Sequence, residues 1–190
     1  MRPPSTSPGV VDVAEFCGVL GHFPTGVVVV TASPPDSTPA GLTLGSFTSV
    51  SLGPPLVAFL PAKTSTSRPR IRTSGSFCVN GLRAGQHDLL RRFATAGGDK
   101  FHGLAWSAGP AGHPVLPGVP AWIDCDIDRV DDAGDHLLIT SLVRTLHAAK
   151  NHAGPLVFYR GSLGRFVAAE RGPATDQREW DSPGLRLLWW

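Results

Sequence analysis

Val13, Phe16, Cys17 and Leu20 recur at helical spacing and give one apolar face to a short helix. Asp12 with Glu15 three residues on makes a capping-box-like pair at its start, and Gly21 stops it. Phe23 and Pro24 lead into the run Gly26-Val27-Val28-Val29-Val30-Thr31. So many consecutive β-branched residues predict a buried strand. Residues 34–39 form a Pro-rich turn, and a second strand begins near Ala40. Gly53, Pro54 and Pro55 break the chain within residues 51–55, and residues 56–60 make a third strand. Such short Gly/Pro connections predict antiparallel pairing rather than βαβ crossovers. A short helix is expected over residues 67–73, with Pro69 near its first turn. A strand follows over 76–82. A helix over 86–94 carries Leu89, Leu90 and Phe93 on one side and is closed by Gly97-Gly98.

The second half reads as strand and turn. Ala121, Ile123, Cys125 and Ile127 alternate with Trp122, Asp124, Asp126 and Asp128, which predicts one dry and one wet strand face. Residues 131–135 are a turn cluster, and strands follow over 136–146 and 155–160. The pattern divides the chain into a Pro- and Ser-rich, disordered segment (1–10), one folded domain (11–167) and a C-terminal extension (168–190) without periodicity. Many short strands with two or three helices make the fold mainly β: an antiparallel, closed or nearly closed β-barrel with a few covering helices.

Composition narrows the function classes. With 190 residues the chain suits one domain. Charged residues are 17% of it, below the usual quarter, which fits an oligomer that hides part of its surface. A net charge of +2, with no basic cluster interleaved with aromatics, argues against nucleic acid. Arg68, Arg70 and Arg72 form a short basic group that either neutralises a phosphate or faces water. The apolar run at 27–30 is too short to span a bilayer, so no membrane segment is expected. The N-terminus lacks the apolar core of a secretory signal. Cys17, Cys78 and Cys125 are far apart among apolar neighbours and read as buried, free thiols, which fits a reducing cytoplasm.

No dinucleotide fingerprint, P-loop or nucleophile elbow is present. Asp124, Asp126 and Asp128 imitate a calcium loop, but Arg129 stands where that loop needs Gly. The seven histidines lack metal-ligand spacing, so no metal site is expected. What remains is a hydroxyl-rich stretch from Pro39 to Lys63 that is also studded with Leu, Phe and Val. That mixture suits a backbone lying close to a flat, phosphate-bearing ligand. Thr43, Ser46, Thr48 and Ser49 supply hydroxyls, and Lys63-Thr64-Ser65 supplies a cation and two more. Gly41 and Gly45 let the backbone approach a ring edge. A Ser/Thr-rich strand and loop with no ligand would have the same composition. Gly134-Asp135-His136 places a histidine at a turn-to-strand boundary, and Phe158-Tyr159-Arg160-Gly161 sets an aromatic beside a cation.

Seven pieces in order carry a resemblance: 23–31 (FPTGVVVVT), 41–51 with Pro54-Pro55-Leu56-Val57, Lys63-Thr64-Ser65, 76–80 (SFCVN), Asp99-Lys100-Phe101, Gly134-Asp135-His136 and Phe158-Tyr159-Arg160-Gly161. The set resembles the flavin reductase-like family with the FMN-binding split-barrel fold. The resemblance implies FMN or FAD as flavin, NADH or NADPH as hydride donor, and a homodimer with flavin near the subunit interface. It also implies a flavin-dependent monooxygenase partner. Carried over, Gly41, Leu42, Thr43, Leu44, Gly45, Ser46 and Thr48 would line the isoalloxazine and ribityl chain, and Lys63, Thr64 and Ser65 would meet the phosphate. His136 would stand near the nicotinamide as the catalytic residue, with Tyr159, Arg160 and Gly161 beside the same pocket. Ser67-Arg68 and Gly81 depart from the family pattern, and the tail after Val167 has no counterpart. A non-catalytic flavin carrier or redox sensor, and a pyridoxine-phosphate-oxidase-like enzyme, remain alternatives on this fold.

Overall fold

A computed structural model describes residues 11–35, 38–150 and 153–167. The expected terminal segments, 1–10 and 168–190, lie outside the described residues. The first helix is α1 (Val13–Leu20), with Asp12 Oδ1 accepting from the N–H groups of Ala14 (2.9 Å) and Glu15 (3.0 Å). That is the capping the sequence signalled. Then come β1 (Thr25–Gly26), β2 (Val28–Ala32), β3 (Ala40–Leu44), β4 (Thr48–Leu52) and β5 (Pro55–Phe59). Helix α2 (Arg68–Ser74), β6 (Ser76–Gly81) and α3 (His87–Ala94) follow, then the small hairpin β7 (Ser107–Ala108) and β8 (Pro114–Val115). Two long strands, β9 (Ala121–Ala133) and β10 (His136–Ala148), and the short β11 (Leu156–Tyr159) and β12 (Ser162–Arg165) complete the described chain.

Seven strands form one antiparallel sheet in the order β3-β2-β6-β9-β10-β5-β4, and β1-β11-β12 form a second. Both β3 and β4 are edges of the large sheet, yet only residues 45–47 separate them. So short a link forces the sheet to roll until its edges approach. The two edges do not pair, which makes a split antiparallel barrel, as expected.

Three sequence expectations change at the strands. The β-branched run is two strands, because Val27 passes between sheets: Thr25 and Gly26 pair with β11, while β2 pairs with β3 and β6. The strand expected from Ala40 breaks at residues 45–47 for the reason just given. The turn expected over 131–135 is only Gly134-Asp135, because the β9–β10 ladder runs on to Ala133↔His136. Gly134 takes φ 66°, the left-handed first position of a two-residue hairpin loop.

Residues of β2 are buried on both faces. Val28, Val30 and Ala32 join Phe59, Phe77, Cys125 and Ile139 inside the barrel, where Phe59 and Phe77 meet edge to face at 5.0 Å. Val29 packs outside with Leu82, Phe93, Phe101, Leu116 and Leu156. Each fully buried Phe, Leu or Ile adds about 1.5–3 kcal/mol, so both layers contribute to holding β2. Asn80, on β6, fixes the segment 109–116 that covers the sheet: its Nδ2 donates to Thr31 Oγ1 (3.0 Å) and to the Pro114 carbonyl (3.2 Å), and its Oδ1 accepts from Leu116 N (2.8 Å).

That covering segment overturns the wet-face reading of β9. Asp124 is 1% exposed, and its Oδ2 accepts from Ala111 N at 3.2 Å. Strand periodicity assigns a face, not what lies over it. Cys78 and Cys125 are buried as expected, and desolvation, reinforced by Asp124, pushes both thiols up, Cys125 to about 12. Cys17 is exposed instead, because no residue of α1 is buried.

His113 is 3% exposed and joins the same cover to the barrel. Its Nδ1 accepts from Ser33 N (3.2 Å), so the neutral ring carries its proton on Nε2, which donates to Ser76 Oγ (2.8 Å). Burial lowers its pKa below the ordinary 6.5, against the opposing pull of Asp124 and Asp126. The unfolded chain therefore takes up this proton first. Stability from His113 is present above its ordinary pKa and is lost as pH falls below it. The thermal midpoint should drop between pH 7.5 and pH 5, and His113→Asn should flatten that drop. An identical pH slope in the variant contradicts the role.

Candidate active site

A cavity of about 980 Å³ opens where the end of β3, the segment after β5, the β9–β10 turn, the C-terminal end of α3 and α1 converge. Barrel closure builds one wall: Ser46 Oγ donates to the Leu60 carbonyl and accepts from Leu60 N, both at 3.1 Å. A second wall comes from the segment after β5 docking along the hairpin turn. Leu137 N donates to the Pro61 carbonyl (3.0 Å) and Lys63 N to the Asp135 carbonyl (2.9 Å), with Ala62 bridged to His136.

The structure brings together Leu42, Thr43, Leu44, Gly45, Ser46, Thr64, Ser65 and His136 in this lining. Their hydroxyls are not equivalent. Thr43 Oγ1 donates to the Leu90 carbonyl (3.0 Å), tying β3 to α3, and Ser46 is engaged in barrel closure. The Thr64 and Ser65 hydroxyls have no partner among the described residues. Thr66, which the sequence reading passed over, also lines the cavity. Its Oγ1 accepts from Gly97 N (3.2 Å) and keeps its own hydrogen to donate. Residues 64–66 therefore present three available donors on one rim, the donor set an anionic group needs.

Other expected residues sit elsewhere. Lys63 Nζ pairs with Asp132, and that hydrogen bond, followed by the ammonium charge, holds the carboxyl below its ordinary pKa. Gly41 lines an adjoining cleft. A Cβ on Gly41 would meet Phe93 Cε1 at 2.6 Å, and one on Gly45 would meet Thr25 Oγ1 at 2.7 Å. Gly41 is therefore required by packing against the buried Phe93 ring, whereas a Cβ at Gly45 would need Thr25 to turn its hydroxyl aside. Thr48 lies on exposed β4 with its hydroxyl on the Ser49 carbonyl. Tyr159 contacts the His22 ring edge-on at 6.5 Å, and Arg160 N donates to the Gly21 carbonyl (2.9 Å). Tyr159, Arg160 and Gly161 thus gather at the C-terminal end of α1, outside the cavity lining.

His136 has a defined orientation. Its Nδ1 lies 2.7 Å from Asp135 Oδ1, and that hydrogen bond, followed by the charge on the ring, holds the Asp135 carboxyl below its ordinary pKa. With the Nδ1 N–H donating to the Asp135 carboxylate, Nε2 is left for a ligand in the cavity. Among the described residues, no group of His, Cys, Asp and Glu could hold a metal ion. No described helix is long and apolar enough to cross a membrane.

Residues 20–166 match the model of the flavin reductase like domain. The chain belongs to the flavin reductase-like family. It is 49% identical over 158 residues to a flavin reductase of Pseudomonas putida, covering 83% of this chain and 92% of that protein. It is 43% identical to the reductase subunit HsaB of a flavin-dependent monooxygenase from Rhodococcus jostii, covering 80% and 76%. The solved NADH:FAD oxidoreductase SgcE6 of Streptomyces globisporus superposes with TM-score 0.77 at 36% identity, covering 87% of this chain and all of that one. The split-barrel fold and the reductase reading drawn from the sequence are both borne out.

For a member of this family the cavity fits a flavin. Leu42, Leu44, Leu60 and Phe93 give apolar walls for a ring, and residues 64–66 give donors for a phosphate. Sequence reasoning missed Phe93, residues 94–96 and the α1 residues Val13, Phe16 and Leu20 in the lining. It also assigned no role to Lys100. Lys100 Nζ is half-buried and donates to the carbonyls of Gly41 (3.1 Å) and Phe93 (2.9 Å) and to Ser67 Oγ (3.2 Å). It thus joins β3, α3 and the start of α2, and the Asp99-Lys100-Phe101 motif was its only signal.

The hydroxyl inventory sets a test. A Thr64→Val/Ser65→Ala double variant should weaken flavin binding at least tenfold, since hydrogen bonds to a charged group are worth about 1.5–3 kcal/mol each. Thr43→Val should instead lower the thermal midpoint and change flavin affinity less. Titration by flavin fluorescence quenching with parallel melts measures both, and the reverse ranking refutes the division.

Proposed function

We propose that the protein is a homodimeric, cytoplasmic NAD(P)H:flavin oxidoreductase that reduces FMN or FAD and supplies the product to a flavin-dependent monooxygenase. One observation carries the reading: the free hydroxyl rim of residues 64–66 and the oriented His136 open into the same large, apolar-walled cavity. When bound, the flavin and the nicotinamide supply the hydride chemistry themselves. The chain's residues orient and enclose. Thr64 and Ser65 anchor a phosphate with Thr66 next to them on the rim, Leu42 and Leu44 support a ring face, and His136 Nε2 positions the nicotinamide nucleotide. Asp135 keeps the His136 ring turned for that contact. Proximity is the main catalytic contribution, so no acid–base triad is needed. A passive flavin carrier would have no use for an oriented histidine at the cavity mouth.

The dimer rests on α1. Val13, Phe16, Val19 and Leu20 are all about half exposed or more, on a helix with no buried residue. An apolar face of that size asks for a cover. In a dimer, Tyr159, Arg160 and Gly161 would serve the site across the interface, from their place beside α1.

His136→Ala should raise the KM for NADH or lower kcat about tenfold, the value of one lost polar contact, while flavin affinity survives. Unchanged steady-state kinetics would remove His136 from the site. Sedimentation velocity should give a species of twice the 20.0 kDa chain mass, and Phe16→Glu should shift it toward the single chain. A monomeric wild type at micromolar concentration refutes the dimer.

A further inference from the structure

A second, smaller cleft of about 140 Å³ adjoins the main cavity, and Thr66 and Lys100 line both. Its other walls are the start of β3, Ser67 and Arg70 at the start of α2, and Gly97-Gly98. None of its lining residues carries a carboxylate. Arg70 is pinned there: its Nη2 donates to the Thr38 carbonyl and to Thr38 Oγ1 (2.9 Å). Its Nε and Nη1 have no partner among the described residues. The Lys100 ammonium already makes three hydrogen bonds, so it contributes charge rather than a free donor. Burial lowers its pKa, and an anion in the cleft would offset that cost. The free hydrogen of Thr66 adds a neutral donor on the shared wall.

The space is small. At about 30 Å³ per water, it holds about four or five waters, or one phosphate group with little else. The tricyclic ring of a flavin is too large for it, and a metal cation meets two positive side chains. A guanidinium with open N–H groups, a nearby ammonium and a hydroxyl make a donor set for a phosphate oxygen.

We propose that this cleft takes the second phosphate of a dinucleotide whose first phosphate is held by Thr64 and Ser65, so that the protein prefers FAD to FMN. The inference rests on the flavin-reductase reading of the main cavity. FAD is favoured over the adenosine phosphate of NADPH because the shared wall is Thr66, next in the chain to the flavin-phosphate hydroxyls. His136, the residue assigned to the nicotinamide, does not line the cleft.

The test compares KM for FMN and FAD with NADH, and KM for NADH and NADPH with FMN, in wild type, Arg70→Gln and Gly98→Asp. Gly98 is exposed at φ 70° with open space around its Cβ, and Asp tolerates that backbone, so this variant adds a carboxylate at the cleft with little risk to folding. The expected wild type has a lower KM for FAD than for FMN. Both variants should raise the FAD value at least fivefold and the FMN value less than twofold. A rise confined to NADPH moves the cleft to the nicotinamide dinucleotide and overturns the FAD assignment. Equal rises for FMN and FAD place the first phosphate there and overturn the proposal, as does no change in any value. A wild type that oxidises NADH with neither flavin fails the reductase reading itself. Normal turnover with indifferent variants fails only the cleft.

Discussion

Closure of the large sheet on itself is the constraint on which the other features depend. Edges β3 and β4 are joined by residues 45–47, and Ser46 fastens that link to Leu60 through both backbone groups of the latter. A link this short leaves one geometry in which both edges keep their ladders. That geometry brings the end of β3 against the segment after β5, and the cavity is the gap between them. The two short edges stay unpaired but are brought together by the roll, which limits the hazard of an open sheet edge.

Around that gap the polar groups divide by whether the fold already uses them. Thr43, Ser46 and Lys100 have their hydrogen bonds inside the protein and hold elements in place. Thr64, Ser65 and Thr66 lie on a rim with donors left over. The distinction is energetic: a buried donor without a partner costs about 1–3 kcal/mol, whereas one facing a cavity keeps its water until a ligand replaces it. A site for an exchangeable, phosphate-bearing molecule needs groups of the second kind, supported by groups of the first. The same accounting separates the three arginines of the basic group. Arg68 donates to the Lys63 carbonyl (3.3 Å), Arg70 is pinned on Thr38 with nitrogens to spare, and Arg72 is exposed.

Much of the fold was legible because it is written locally. The Asp12 cap, the helix over α3 and the strands β5 and β6 follow from side-chain period and turn residues. Errors fell where distant segments meet. Asp124 reads as a wet-face residue by alternation and is buried because residues 109–116 cross it. Cys17 reads as buried by its neighbours and is exposed because no residue of α1 is buried. At Gly41 and Gly45 the structure adds a contact that the sequence could not show, since a Cβ there would meet Phe93 and Thr25.

By itself the sequence determined the kind of protein, a β-rich barrel with ordered motifs of a flavin reductase, and it singled out a hydroxyl-rich stretch and His136 as candidate site residues. These follow from periodicity and motif order, which a one-dimensional pattern carries. Only the tertiary structure decided which hydroxyls are free, that Lys63 faces Asp132, that Lys100 ties three elements together, and that Tyr159 to Gly161 lie outside the cavity lining. Each depends on what a side chain meets across the barrel, and partners brought together by chain reversal leave no mark on local sequence.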